Sequence, residues 1–196
     1  MWREISAGSG LVHGGYRYKL IGNYGFEVET VISIRNYQDM DWDSVSSIHD
    51  RARRLELELA GLKEAFLPLR IAAEREGLFD YPGLYVAEEN GTVIGFVACT
   101  EDELAWLYVA PEKMRRGVGR SLSQYAMKMH PGIRYIEALK GNVPALKLYE
   151  SLGFRLKGIE EGKMPGNESF AVQVYSLERT VQIRASCPQN KALKAL

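Results

Sequence analysis

The chain has 196 residues, 46% of them hydrophobic, and its 25 basic and 25 acidic side chains give a formal net charge of zero. That is enough chain to bury a full core in one domain with terminal extensions. The charges are interleaved rather than gathered on a basic face, and no apolar run approaches the roughly 20 residues that cross a bilayer, so neither nucleic acid nor membrane is an expected partner.

Residues 1–30 are rich in glycine and tyrosine without a sustained period and read as an N-terminal extension. Gly8, Gly10 and Gly14 share only their spacing with a dinucleotide fingerprint; with no strand before and no helix after, a flexible loop is the expectation. Val31, Ile32 and Ile34 read as a strand, and Val45, Ile48, His49, Ala52 and Leu55 recur at helical spacing. His49 on that stripe reads first as a core histidine. A second helix is expected between Pro68 and Glu76, with Gly77 as its stop. Leu84–Ala87, Thr92–Thr100 and Leu104–Val109 read as an antiparallel meander, its first turn marked by Glu89-Asn90-Gly91. Val118, Leu122, Ala126 and Met129 mark a helix ended by Pro131, and Ile133–Leu139 reads as a strand. A strand, helix, strand order makes the two strands parallel neighbours. Ala145, Leu148, Tyr149 and Leu152 give a short helix capped by Asn142 and stopped by Gly153. Strands near Phe154–Gly158 and Phe170–Leu177 close the domain, assigned to residues 31–178, and residues 179–196 read as a polar tail.

Cys99 and Cys187 are too few and too differently placed for a disulfide framework, which points to a reducing compartment, and the N-terminus lacks the apolar run of a signal peptide; a cytoplasmic protein is expected. His13, His49 and His130 stand at no metal-ligand spacing, so no metal site is expected.

The most specific segment runs from Leu107 to Leu122 and contains Met114-Arg115-Arg116-Gly117-Val118-Gly119-Arg120. A strand enters a glycine-containing loop that opens a helix. The first N–H groups of that helix lack internal partners and sit at the positive end of its dipole, a ready anion site. Gly117 and Gly119 let an anion approach the backbone, and Arg115, Arg116 and Arg120 add charge around it; a pyrophosphate is the natural occupant.

This segment resembles the acetyl-CoA signature of the GNAT superfamily of N-acetyltransferases: Gln or Arg, two residues, Gly, one residue, then Gly or Ala. Met114 stands where that pattern has Gln or Arg, which removes one side-chain contact and leaves the backbone cradle. Asn142-Val-Pro-Ala-Leu-Lys-Leu-Tyr149, followed by Gly153-Phe154, resembles the second signature of the same family. The resemblance covers roughly Val31 to Leu177 and is most specific between Glu103 and Phe154. It implies an α/β fold with a mixed, centrally split sheet flanked by helices in a single domain, and acetyl-CoA as cosubstrate without a metal. It also implies Leu107, Tyr108, Val109, Val118, Asn142 and Ala145 beside the loop residues as the cofactor's lining, with Asn142 on the pantetheine arm and Tyr149 protonating the departing sulfur.

The chemistry constrains the other roles. A lysine-like amine of pKa about 10.4 is neutral in only about one molecule in 2,500 at pH 7, a penalty of roughly 4.6 kcal/mol, so a base must accept its proton. A carboxylate near pKa 4.3 needs burial, or a water relay, to do this. Glu103 begins the strand leading into the loop. Glu137 lies on the neighbouring strand, where it resembles the base of ribosomal-protein alanine acetyltransferases. Glu103 ranks slightly ahead. A thiolate leaving group of pKa about 8.5 suits protonation by a phenol near pKa 10. The oxyanion would be held by a strand N–H, that of Val109, at a bulge where the strands part. Acceptor recognition falls between Ala52 and Asp80, where Glu56, Glu58 and Glu64 could attract a cation and Phe79, Tyr81 and Trp106 could shape a pocket. The sequence does not choose between a small amine, an amino acid, an antibiotic and a protein N-terminus as acceptor, and a homodimer stays open. The rival readings are a non-catalytic acyl-CoA-binding sensor or scaffold, and an enzyme using a longer acyl-CoA.

Overall fold

The computed structural model describes residues 32–180 and, before them, the strands β1 (Leu11–His13), β2 (Tyr16–Ile21) and β3 (Gly25–Thr30). These three pair antiparallel in chain order, so part of the segment read as an irregular extension is a small sheet. Gly8, Gly10, Gly14, Val31, Cys187 and the tail beyond residue 180 lie outside the described residues.

The remaining elements follow the expected order. They are β4 (Ser33–Asn36), α1 (Trp42–Leu59), α2 (Leu69–Arg75), β5 (Gly83–Glu89), β6 (Thr92–Cys99), β7 (Leu104–Val109), α3 (Val118–Met129), β8 (Tyr135–Leu139), α4 (Val143–Ser151), β9 (Arg155–Met164) and β10 (Asn167–Glu178). Strands β4-β5-β6-β7 form one antiparallel sheet and β8-β10-β9 a second. The Asn90-Gly91 turn between β5 and β6 has positive φ at both residues (55° and 74°), the geometry that pair favours.

The meander is buried on both faces, which is why its strands are nearly continuously apolar. Val86, Phe96, Ala98 and Trp106 pack against α1 and α2, burying Val45, Ile48, Leu69 and Leu78. Ala87, Val97, Cys99 and Leu104 face Val118, Leu122 and Ala126 of α3, together with Tyr149 and Phe154. Two residues of the expected helical stripes depart from it: Leu55 is 42% exposed and Met129 50%. A third cluster, Leu57, Ala65, Leu139, Met164 and Val172, ties the end of α1 to the second sheet.

The expectation of parallel neighbours for β7 and β8 holds only at their roots. Glu103 and Tyr135 form an isolated parallel bridge, and the N–H groups of Arg134 and Tyr135 donate to Asp102 O at 2.7 and 3.0 Å. Beyond that point the two strands share no ladder and belong to different sheets. The crossover rule brings them side by side, and the fold then splits them. The expected bulge is present in β7, but at Ala105, between the pairs Trp106↔Ala98 and Leu104↔Cys99, and not at Val109.

Gly141, in the turn from β8 to α4, has φ 106°, and a Cβ there would sit 2.5 Å from Leu59 O at the end of α1. Gly141→Ala should therefore destabilise the fold by about 1–3 kcal/mol, from left-handed backbone strain and the displaced α1 terminus. A thermal unfolding scan should show a melting temperature several degrees lower; an unchanged one would show that the turn relaxes freely.

Candidate active site

The split between the sheets opens into a cleft of about 1260 Å³ that runs from the start of α3, past the ends of β7 and β8, to the β9–β10 turn. On the loop side, Arg115 and Gly117 adopt positive φ (64° and 85°), turning the chain sharply into α3. The first bond of that helix is Ser121 N–H to Gly117 O at 2.9 Å, so the N–H groups of Val118, Gly119 and Arg120 precede its ladder. Gly119 faces Leu107 and Val109 of β7 and Leu148 of α4, since a Cβ there would lie 3.4–3.8 Å from their methyl carbons. This is a slot between a strand and a helix, with free amides at its mouth.

Of the loop residues, Met114, Arg115, Gly117, Gly119 and Arg120 line the cleft. Two expected side-chain contributions fall elsewhere. Arg116 turns to Glu89 at 3.2 Å, beside the Lys113–Glu89 ion pair, because that carboxylate offers it a nearby counter-charge. Val118 is buried in the core, which leaves only its backbone N–H for a ligand. Arg120 lines the cleft while donating to Ser151 Oγ at 2.8 Å, which ties the start of α3 to the end of α4. Leu107, Tyr108, Val109, Asn142, Ala145 and Tyr149 all line the cleft as well.

Asn142 caps α4 by accepting from the Ala145 N–H at 3.2 Å, and its Nδ2 donates to Glu56 Oε1 at 3.4 Å. Its side chain is thus engaged at both ends. Tyr149 is 6% exposed, and burial, assisted by the negative charge of Glu56, pushes its phenol above the usual tyrosine range, so it stays protonated at neutral pH.

Glu103 and Glu137 stand on the two strands that part, and both line the cleft. Burial raises each carboxyl above the ordinary range; Glu137 adds to the effect on Glu103, and Glu160 to that on Glu137. Both shifts move a carboxylate toward the pKa an amine's base requires.

The side of the cleft formed by α1, α2 and the β9–β10 hairpin also holds residues that the sequence alone did not single out. Arg53 Nη1 pairs with Glu56 Oε2 at 2.7 Å, each side chain only 17% exposed, and Tyr108 Oη donates to the same oxygen at 3.1 Å. Glu76, at the end of α2, and Glu168, from the β9–β10 hairpin, complete this wall with Met164. The Pro165-Gly166-Asn167 turn was the available signal for that hairpin. Glu56, Glu58, Tyr81 and Trp106 line the cleft as expected. Glu64 and Phe79 are not among its lining residues; Phe79 is exposed and packs at 5.7 Å from Tyr37 and 5.9 Å from Trp42. His49 is a packed core histidine, its ring 4.9 Å from that of Tyr108 and its Nδ1 2.9 Å from Asp50 Oδ1, with burial lowering its pKa. Among the described residues no group of His, Cys, Asp and Glu could hold a metal ion.

Glu76 is pushed up from 4.5 to about 7, first by burial and then by Glu168 and Glu56, against the opposing charge of Arg53. The folded state therefore holds this proton more tightly than the unfolded chain does. Its stabilising contribution is complete below pH 4.5 and is lost as pH rises through about 7. Thermal unfolding across that window should show stability declining in the wild type and a shallower decline in Glu76→Gln; parallel curves would remove Glu76 as the source.

The fold places a glycine-containing strand-loop-helix beside Glu103, Glu137 and a buried tyrosine, where two antiparallel sheets part. Residues 80–156 match the family model described as "Acetyltransferase (GNAT) domain". Over that span, from just before β5 to the start of β9, the chain resembles this family. Among curated proteins it is 40% identical over 73 residues to the peptidyl-lysine N-acetyltransferase YiaC of Escherichia coli, a match covering 37% of this chain and 49% of that protein. It is 26% identical to the peptidyl-lysine N-acetyltransferase YjaB of Salmonella typhimurium over 60% of this chain and 74% of that one. The match to YiaC thus spans about half of that relative's length, and the match to a mycothiol acetyltransferase of Thermomonospora curvata only 31%. Among solved structures, a GCN5-related N-acetyltransferase from Rhodopseudomonas palustris matches with a TM-score of 0.63 at 19% identity, over 80% of this chain and 99% of that one. The Salmonella typhimurium yncA structure with its cofactor acetyl-CoA matches at 0.56 and 19% identity, over 79% and 96%. At these identities the structural likeness concerns the fold.

Proposed function

We propose that this chain transfers an acetyl group from acetyl-CoA to a primary amine by direct attack. The observation that carries the reading is that the amide-lined loop, Glu103, Glu137 and Tyr149 all border one cleft at the place where β7 and β8 separate. The amides of Val118 to Arg120 would hold the pyrophosphate, with Arg115 supplying charge and the slot above Gly119 taking the pantetheine arm. The thioester then lies between the strands. Glu103, with Glu137 as the alternative, takes the amine's proton directly or through water, and the neutral nitrogen attacks the carbonyl carbon. A β7 amide, that of Val109, holds the oxyanion. Collapse breaks the C–S bond, the thiolate takes the phenolic proton of Tyr149, and the second proton of the attacking nitrogen leaves through water to restore the phenol, giving an acetamide and free CoA thiol. No covalent enzyme intermediate is needed.

The acceptor is a primary amine on a small molecule or on a protein; two relatives are named as peptidyl-lysine N-acetyltransferases, which supports a lysine side chain as one case. We place the protein in the cytoplasm. In support, Cys99 is a buried free cysteine among the described residues. A homodimer is compatible with this reading and not required by it.

The test is thiol release from acetyl-CoA across a panel of primary amines. Amine-dependent release is the expected result. Tight CoA binding without release for any amine would favour a non-catalytic acyl-CoA-binding module, and faster release from longer acyl-CoAs would change the donor.

A further inference from the structure

Glu76 has no role in the mechanism above, yet it faces the same cleft. It stands at the C-terminal end of α2 against the β9–β10 turn, where a Cβ on Gly166 would lie 3.0 Å from its Oε1. The cation beside it, Arg53, is already matched by Glu56 at 2.7 Å, and the other nearby cation, Arg75, spends Nη1 on Gly166 O at 2.8 Å. No hydrogen-bond or ion-pair partner is found for the Glu76 carboxylate among the described residues. A half-buried carboxylate in a ligand cleft with its local cations otherwise matched calls for a cation from the ligand.

Tyr81 is near both this carboxylate and the reacting end, since the charges of Glu103 and Glu76 both act on its phenol. Tyr81 and Trp106 also border the cleft, giving aromatic walls suited to a cationic chain.

We propose that Glu76 is a specificity-determining residue that takes a second positive charge of the acceptor, so that the preferred substrate is a primary amine carrying another cationic group, with the reacting amine at Glu103 and the second at Glu76. This rests on the acetyl-transfer reading above and deepens it. Glu168, on the adjoining hairpin, adds negative potential without being the anchor.

The experiment compares putrescine and cadaverine with n-butylamine and n-pentylamine, by thiol release and by calorimetry on CoA-saturated protein. Lysine peptides with an arginine or an alanine neighbour form a parallel arm. The wild type should favour the doubly charged member of each pair by about tenfold in kcat/KM, the scale of one charge-assisted hydrogen bond. Glu76→Gln should erase that preference by raising KM for the doubly charged member of each pair, and Glu76→Asp should restore part of it. Preference in the diamine pairs alone identifies a free polyamine-like acceptor, and preference in the peptides alone a basic protein site; either supports the assignment. Equal efficiency within every pair, or a preference that survives Glu76→Gln, overturns it. Glu76-dependent binding of diamines without thiol release would keep the cation site and sink the catalytic reading, so the two fail separately.

Discussion

Gly117→Asp should abolish coenzyme A binding while leaving the protein folded. Gly117 has φ 85° and nothing within 4 Å of a built Cβ, so an aspartate meets open space and a backbone penalty of about 1–2 kcal/mol. It stands at the N-cap of α3 in a left-handed conformation, which aspartate tolerates better than most side chains. Its carboxylate would occupy the mouth of the anion site and satisfy the amides intended for the diphosphate. One unit charge about 4 Å from another at an effective dielectric constant of about 20 costs about 4 kcal/mol, or roughly 10³ in affinity. Gly117→Asn tolerates the same backbone without the charge and should lose far less. Calorimetry with coenzyme A on both variants, with circular dichroism as the folding control, checks this; an unchanged dissociation constant for the aspartate variant would remove the loop from cofactor binding.

Tyr149→Phe should lower turnover by about 10²-fold or more, the usual contribution of a general acid, with coenzyme A affinity nearly intact. The substitution keeps the ring that packs 6.4 Å from Phe154 in the core and deletes only the hydroxyl, so stability should change little. Burial keeps the phenol protonated throughout the neutral range. A leaving group that needs no proton separates chemistry from packing: the variant should recover activity on an acyl donor with a more acidic thiol. Full turnover of the variant on acetyl-CoA would give the thiolate another proton source and leave Tyr149 as a core residue.

The loop and its partner motif were legible because their chemistry is local. A glycine with positive φ, a helix that begins immediately after it and a cap at Asn142 are all set within a few residues, and the structure shows Gly117 at φ 85° and the Asn142 cap on Ala145. The meander was equally legible, since Asn90-Gly91 encodes its own turn. The acceptor wall was not. Glu76 and Arg53 look like ordinary solvated helix charges in sequence, and their burial exists only because the β9–β10 hairpin folds back over α1 and α2, a contact between residues about ninety positions apart, as in Arg75 to Gly166. Arg116 illustrates the converse: three neighbouring arginines are indistinguishable in sequence, and Glu89 on a hairpin strand draws one of them aside.

By itself, then, the sequence determined the order of elements, the glycine-containing turn into α3 and the candidate acid and bases, because each depends on backbone conformation and residue type over a short span. Only the tertiary structure decided that β7 and β8 part after a single bridge at Glu103 and Tyr135, and which carboxylates face the gap. Whether two strands stay paired and which charges lose their water are properties of packing between distant segments, and no local pattern carries them.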